Sequence, residues 1–103
     1  MIVLTVLYPK TAGTHFDMAY YTATHMPLVI ARWKEFGIGT CRVLGGAAAM
    51  DGGEPAYTAI ALIEFASTEA LGKALEAHGA EIMADVPNFT DIHPTLQVNE
   101  ITL

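Results

Sequence analysis

The chain is 103 residues long and apolar for its size: 52% of its residues are hydrophobic, 16% are charged, and the formal net charge is −6. This length predicts a single domain, residues 1–103. So short a chain buries a limited share of its own surface. We therefore expect the excess apolar surface to pair with a second copy of the chain or to enclose a ligand. The few basic residues are scattered, which argues against nucleic acid as a partner.

The opening residues and the cysteine content indicate where the protein works. The first ten residues, MIVLTVLYPK, have neither the basic leader nor the cleavage site of a signal peptide. No apolar run approaches the roughly 20 residues that span a bilayer, so no membrane partner is expected. Cys41 is the only cysteine and is interpreted as a core residue. The absence of a possible disulfide within the chain is typical of a reducing compartment, and we expect a cytoplasmic protein.

The first part of the chain predicts a strand followed by helical structure. Residues 1–8 form a continuous apolar, β-branched run that is typical of a central strand. A helix is predicted over about residues 15–25, with Thr14 in the position of a capping residue. Because proline disfavours helical geometry in the residue before it, we expect this helix to end just before Pro27 and a new helical piece to begin there. The apolar positions at helical spacing predict its core face, namely Phe16, Ala19, Tyr20 and Ala23.

The second part predicts three strands and a second long helix. Residues 38–49 read as a strand weakened by glycine, and residues 56–65 alternate as a strand whose two faces are both largely apolar. Ser67 is predicted to cap a helix that stops near Gly79, followed by a short helical piece. Residues 95–103 form the last strand, and their apolar alternation changes face part way along. We expect this C-terminal end to change packing partner and to reach a second subunit.

The predicted order of elements is β-α-β-β-α-β, which is the split-βαβ or ferredoxin-like plan of the α+β class. This plan gives a four-stranded antiparallel sheet with both helices on one side. The other face of the sheet is then uncovered, although its residues are apolar. We therefore expect two sheets to pack together as a dimeric α+β barrel, so that the protein is a homodimer.

The candidate site lies in the segment YYTATHMPL, residues 20–28. Asp17, Tyr21 and His25 recur every four residues and form one stripe along the predicted helix. A histidine at a helix end beside a phenol suits proton transfer. The same pattern is also typical of an ordinary helix C-terminus with tyrosines in the core. The pattern alone leaves both interpretations open.

The longer stretch FDMAYYTATHMPL, residues 16–28, resembles the signature of the EthD family, which is associated with degradation of ethyl tert-butyl ether. The likeness covers nearly the whole chain and includes VLYPK at 6–10 and VPNFTDIHPTLQVNEI at 86–101. The resemblance implies a small cytoplasmic dimer of ferredoxin-like subunits, in a family often catalogued as reductase or oxidoreductase. No G-x-G-x-x-G motif for a flavin or nicotinamide follows a predicted strand, so we expect no tightly bound classical cofactor.

The resemblance also places Tyr20, Tyr21 and His25 in the family's pocket. We interpret His25 as a general acid or base and Tyr21 as the group that orients it or donates to a developing oxyanion. No pair of histidines has the close spacing of a zinc site, so no metal site is predicted. The candidate substrate-binding residues are Tyr20, Trp33, Phe65 and His93. The sequence leaves open whether His93 faces the same cavity, and His93 stands where the resemblance leads us to expect glutamine or glutamate.

Three functions remain open on the sequence. The first is an enzyme, or a component of one, that acts on a small apolar organic molecule by His/Tyr acid–base chemistry. The second is a protein that binds a hydrophobic ligand without catalysis or assists a monooxygenase degradation system. The third is a structural dimer whose pocket is filled by its own side chains. A ligand-sized cavity beside His25 separates the first two functions from the third.

Overall fold

Four strands alternate with helical segments in the computed structural model, which describes all 103 residues. The strands are β1 (Ile2–Pro9), β2 (Ile38–Gly45), β3 (Tyr57–Phe65) and β4 (Thr95–Glu100). Between β1 and β2 the chain forms α1 (Met18–Tyr20), a π-helical turn (Tyr21–His25), α2 (Met26–Trp33) and a 3₁₀ turn (Lys34–Phe36). Between β3 and β4 it forms α3 (Thr68–Asp85) and a second 3₁₀ turn (Val86–Asn88). The order of the main elements is the predicted one.

The strands form one antiparallel sheet in the order β2-β3-β1-β4. The two central strands pair along their whole length, with Leu4 opposite Ile63 and Ile2 opposite Phe65. Their buried side chains join those of the helices in a single hydrophobic core, so the helices cover one face of the sheet. The predicted ferredoxin-like α+β fold with a four-stranded antiparallel sheet is therefore confirmed.

The side chains of strand β3 alternate strictly between the two faces of the sheet, and those on one face form the part of the core that the helices cover. Ala59, Ala61, Ile63 and Phe65 are each at most 2% exposed, as their shared face predicts. Full burial of a large apolar side chain stabilises a fold by about 1.5–3 kcal/mol. Phe65 meets the ring of Trp33 on α2, with ring centroids 5.5 Å apart. This contact fixes α2 against the sheet beneath it.

The helical segment from Met18 to Phe36 is continuous, so the predicted end of the helix before Pro27 is wrong. A proline inside a helix removes one hydrogen bond and clashes with the carbonyl group four residues earlier. Here the preceding turn widens, and the Met26 amide donates to the carbonyl of Tyr21, five residues back. Pro27 then lies in the first turn of α2, where the missing N–H group costs this helix no hydrogen bond of its own. The wide turn carries the helix past the proline.

The start and the buried face of this segment also differ from the prediction. Asp17, rather than Thr14, caps the helix, and its carboxylate accepts a hydrogen bond from the Tyr20 amide at 3.0 Å. Tyr21 and His25 are buried, whereas Ala19 and Ala23 of the predicted core face are exposed. The prediction assumed 3.6 residues per turn. The π turn adds a residue per turn and thereby changes which side chains point inward.

Helix α3 is longer than predicted. Ser67 caps it as expected, with its hydroxyl accepting a hydrogen bond from the Ala70 amide at 3.1 Å. The helix then passes through Gly79 without a break and ends at Asp85. Glycine inside a helix costs about 1 kcal/mol relative to alanine, which the buried contacts of this helix outweigh. Strands β2 and β4 are shorter than predicted, since they end at Gly45 and Glu100.

The face of the sheet away from the helices carries apolar side chains that nothing in the chain covers. The register places Thr5 opposite Leu62 and Leu7 opposite Ile60 on this face, and these side chains are only half-buried. Leu44, opposite Ile60 on the other side, is 46% exposed. None of the helices combines the length and the hydropathy needed to cross a bilayer.

Candidate functional site

A cavity lies between the sheet and the helical segments, beside the π turn. The space open to the centres of water-sized molecules is about 50 Å³, several times the roughly 10–15 Å³ that one water requires. Of the 16 residues that line the cavity, 14 are hydrophobic, and the other two are His25 and Gly79. A small, largely apolar molecule is the ligand that this lining favours.

His25 is the ionisable residue in the cavity wall. It closes the π turn and is only 3% exposed. Its ring stacks on Tyr21, with centroids 5.5 Å apart, and packs on Phe89 at 4.6 Å. Nδ1 lies 2.9 Å from Oδ2 of Asp85. Every fully buried polar side-chain atom has a partner, and Nε2 has none within the chain, so this nitrogen keeps exposed surface on a residue that lines the cavity.

Asp85 lies in the last turn of α3 and joins three side chains. Oδ1 accepts hydrogen bonds from the Tyr20 hydroxyl at 2.8 Å and from the Asn88 amide at 2.9 Å, while Oδ2 faces His25. Burial by itself would raise the pKa of this carboxyl, but the hydrogen bonds from Asn88, His25 and Tyr20 outweigh it and lower the pKa. An ionised carboxylate only accepts. Nδ1 of His25 therefore carries a proton, and in the neutral form of the ring the lone pair is on Nε2.

Two further phenols, those of Tyr8 and Tyr21, belong to the cavity wall. Both residues are 1% exposed and lie within a cluster of aromatic rings, 5.6 Å from each other and next to Phe16. Burial raises the pKa of both phenols, and the neighbouring Tyr8 raises that of Tyr21 further. The two hydroxyl groups therefore stay protonated at neutral pH and can donate hydrogen bonds.

The residues singled out in the sequence fall into two groups. His25, Tyr21 and Trp33 line the cavity, and the indole N–H of Trp33 donates to the Ala74 carbonyl at 2.8 Å. Tyr20 lies outside the lining, and its hydroxyl donates a hydrogen bond to Asp85. Phe65 is buried behind Trp33, and His93 is exposed beside a separate surface depression. The structure therefore does not bring Phe65 or His93 to His25.

Sequence reasoning missed Asp85, Asn88 and Tyr8. Asp85 follows the predicted stop at Gly79, so its place on the same long helix was not apparent. A helix continued through Gly79 puts Ile82 and Asp85 three residues apart, at the spacing of neighbours on one face. Tyr8 alternates with Leu4 on the inner face of β1, and that period of two was the available signal.

The site contains few groups for a metal ion. Nowhere in the chain do three or more histidine, cysteine or acidic side chains come together in an arrangement that could hold one. His25 and Asp85 are a pair, and each satisfies the other. What the arrangement offers chemically is one nitrogen base with a fixed orientation, two neutral phenols and an apolar wall.

The matches to known proteins come from solved structures. No protein-family model and no curated protein matches the chain. An EthD family protein from Bacillus halodurans C-125 is 20% identical over 99% of both chains, with a TM-score of 0.67. SnoaB, a cofactor-independent oxygenase from Streptomyces nogalater, is 13% identical over 99% of this chain and 92% of that one, with a TM-score of 0.60. At these identities the likeness shows the fold alone.

A third solved structure is much more similar. It is an EthD-like protein from Ralstonia eutropha JMP134 that is 40% identical to this chain, with a TM-score of 0.91. The alignment covers 99% of this chain and 92% of that one. The segment YYTATHMPL had already suggested the same family. The chain belongs to the EthD-like family.

Proposed function

We propose that this EthD-like protein is an enzyme, or a component of one, that acts on a small apolar organic molecule by acid–base chemistry at His25. The observation that carries the proposal is the two-sided environment of one imidazole ring. Asp85 holds Nδ1 at 2.9 Å, and the other nitrogen is open to a cavity that is otherwise apolar. A general base needs this combination of a fixed ring and a free nitrogen at the substrate.

The chemistry follows from the groups around the cavity. Nε2 of His25 takes a proton from a carbon or hydroxyl group of the substrate and returns it later. The Asp85 carboxylate keeps the ring in place and compensates the positive charge that the ring gains. Tyr21 or Tyr8 donates a hydrogen bond to the oxygen on which negative charge develops. No proton-transfer step requires a tightly bound classical cofactor. An oxygenase-type reaction, which a cofactor-independent oxygenase of the same fold performs, would in addition need dioxygen as the oxidant.

The assembly that we propose is a homodimer formed through the uncovered face of the sheet. Leu62 and Ile60 lie at the centre of that face, and Leu44 lies at its edge with nearly half its surface exposed. Pairing with the same face of a second copy removes these side chains from water without leaving an unmatched patch. The cavity lies on the opposite side of the sheet, so both protomers keep a complete site.

The experiment is proton exchange in D₂O with small apolar ketones, such as acetophenone and 1-indanone, followed by NMR. General base catalysis contributes about 100- to 10,000-fold to a rate, so we expect replacement of His25 by alanine to remove the catalysed loss of α-protons. His15→Ala is the matched control, because His15 is an exposed histidine paired with Asp91 at the surface. Undiminished exchange in His25→Ala would contradict the proposal.

A second function is favoured by the lining of the cavity, of which 14 of 16 residues are hydrophobic. Such a cavity also suits a protein that binds a hydrophobic ligand without catalysis, or an accessory protein of a monooxygenase degradation system. In that case the wild-type protein binds the ketones and His25→Ala alters their affinity, but no α-proton exchanges faster than in buffer. The same experiment thus separates the two functions.

A further inference from the structure

The cavity opens to solvent between α3 and the edge strand β4. Leu75, Gly79 and Met83 are spaced four residues apart on α3, so they form one stripe, and all three line the cavity. Leu75 is 38% exposed and Met83 is 42% exposed, which places the stripe at the rim rather than in the interior. Leu96 on β4 lines the same cavity and is 41% exposed. These four residues therefore border the mouth.

Gly79 stands at the middle of this rim without a structural need for glycine. Its φ angle lies outside the left-handed region, in contrast to those of Gly13, Gly37 and Gly52. A Cβ atom added there would meet only the Leu75 side chain, at an ordinary contact distance of 3.7 Å. Glycine is the least favourable residue inside a helix after proline. The protein thus keeps an unfavourable residue where its main physical effect is open space at the mouth.

We propose that Gly79 determines which molecules the cavity accepts, by leaving a passage for an apolar chain that extends outward from a head group bound at His25. The proposal rests on the cavity being the site of the proposed function. The enclosed space takes only a small group, so a larger ligand must pass between Leu75, Met83 and Leu96. The chemistry of the two ends then defines the ligand class. It is a molecule with one phenol or enol hydroxyl, or the α C–H group of a carbonyl compound, at Nε2 and a flexible apolar tail at the rim.

The test is binding of a graded series of 4-alkylphenols, from phenol to 4-hexylphenol, by isothermal titration calorimetry. In the wild type we expect affinity to rise with chain length, since each added methylene is buried at the rim. In Gly79→Leu we expect phenol to bind as in the wild type and 4-hexylphenol to bind about 10-fold more weakly, because the new side chain closes the passage. Gly79→Ala should give a smaller loss in the same order, and it serves if the leucine variant does not fold.

The matched control is Gly72→Leu on the same helix. Gly72 is exposed, does not line the cavity, and has nothing within 4 Å of an added Cβ. This variant should bind the whole series as the wild type does. The proposal would be overturned if the Gly79 variants changed the affinity equally for every phenol of the series, or did not change it at all. It would also be overturned if the wild type bound none of the phenols. Because the readout is binding alone, failure of the proposed catalysis appears separately as wild-type binding without proton exchange.

Discussion

His25 and Asp85 are 60 residues apart in the sequence, yet Nδ1 of the histidine lies 2.9 Å from Oδ2 of the aspartate. The π turn before α2 brings one partner inward, and the last turn of α3 brings the other. The hydrogen-bonded pair is largely buried, with side chains that are 4% and 15% exposed. It therefore links the two helical segments at the point where the apolar cavity begins.

We expect Asp85→Asn to slow proton exchange by about 100-fold while the protein stays folded. Asparagine keeps the shape of the side chain, but its amide can donate to Nδ1 and so favour the wrong tautomer of His25. Because Asp85 acts through His25, the pH profile of the exchange rate should also change. A merely structural role would leave that profile unmoved.

The matched control for this variant is Asp91→Asn. Asp91 also pairs with a histidine, His15, but at the surface, where the two side chains are 51% and 68% exposed. Its replacement should leave both the rate and the pH profile as they are in the wild type. Equal effects of Asp85→Asn and Asp91→Asn would contradict the orienting role of Asp85.

The stability of the protein should depend on the ionisation of Asp85 in acid. The folded protein lowers the pKa of this carboxyl below its ordinary value of 3.8, so the ionised form stabilises the fold. This contribution is fully present above that ordinary value and is lost as the pH falls through the lower pKa of the folded state.

Urea unfolding of the wild type and of Asp85→Asn measures this contribution. Hydrogen bonds to charged groups contribute about 1.5–3 kcal/mol each to stability, so we expect the wild type to be more stable by an amount of that order at pH 6. The gap should narrow below pH 3.8. A gap of the same size at pH 3 and pH 6 would mean that the charge of Asp85 does not stabilise the fold.

Replacement of Pro27 by alanine tests what holds the π turn. The new N–H group can take part in ordinary helical hydrogen bonding, which removes the reason for the wide turn. Relaxation to α geometry would rotate His25 relative to α2 and part Nδ1 from Asp85. We expect Pro27→Ala to retain its helix content and its fold but to lose proton exchange. Wild-type exchange in this variant would show that side-chain packing, and not the proline, sets the turn.

If the dimer forms through the uncovered face of the sheet, a charged side chain on that face should prevent it from forming. Leu62 lies opposite Thr5 and Arg42 on the uncovered face, and Leu62→Lys would place an unpaired charge in the contact between two sheets. Analytical ultracentrifugation should give a dimer for the wild type and a monomer for this variant. Ala77→Lys, at an exposed position of α3, is the control that should remain dimeric. A dimeric Leu62→Lys protein would place the interface elsewhere.

The parts of the fold that sequence reasoning found are those with a regular period. Alternation in β3 and the cap at Ser67 follow from local rules, and both are as expected. The stripe of Tyr21 and His25 was also visible, because the two residues are four apart. The π turn was not visible, since a hydrogen bond that spans five residues instead of four leaves no mark on the apolar pattern. Asp85 was missed because Gly79 was predicted to end the helix, whereas α3 continues through it to Asp85.

The most direct test of the role of His25 is ¹⁵N NMR of its ring, with and without 4-ethylphenol, at a pH where the ring is neutral. We expect Nδ1 to be protonated and Nε2 to be bare. We also expect the ligand to shift the Nε2 resonance while Nδ1 stays in place beside Asp85. A proton on Nε2 in the free protein, or a ligand that leaves Nε2 unchanged, would contradict the claim that this nitrogen meets the substrate.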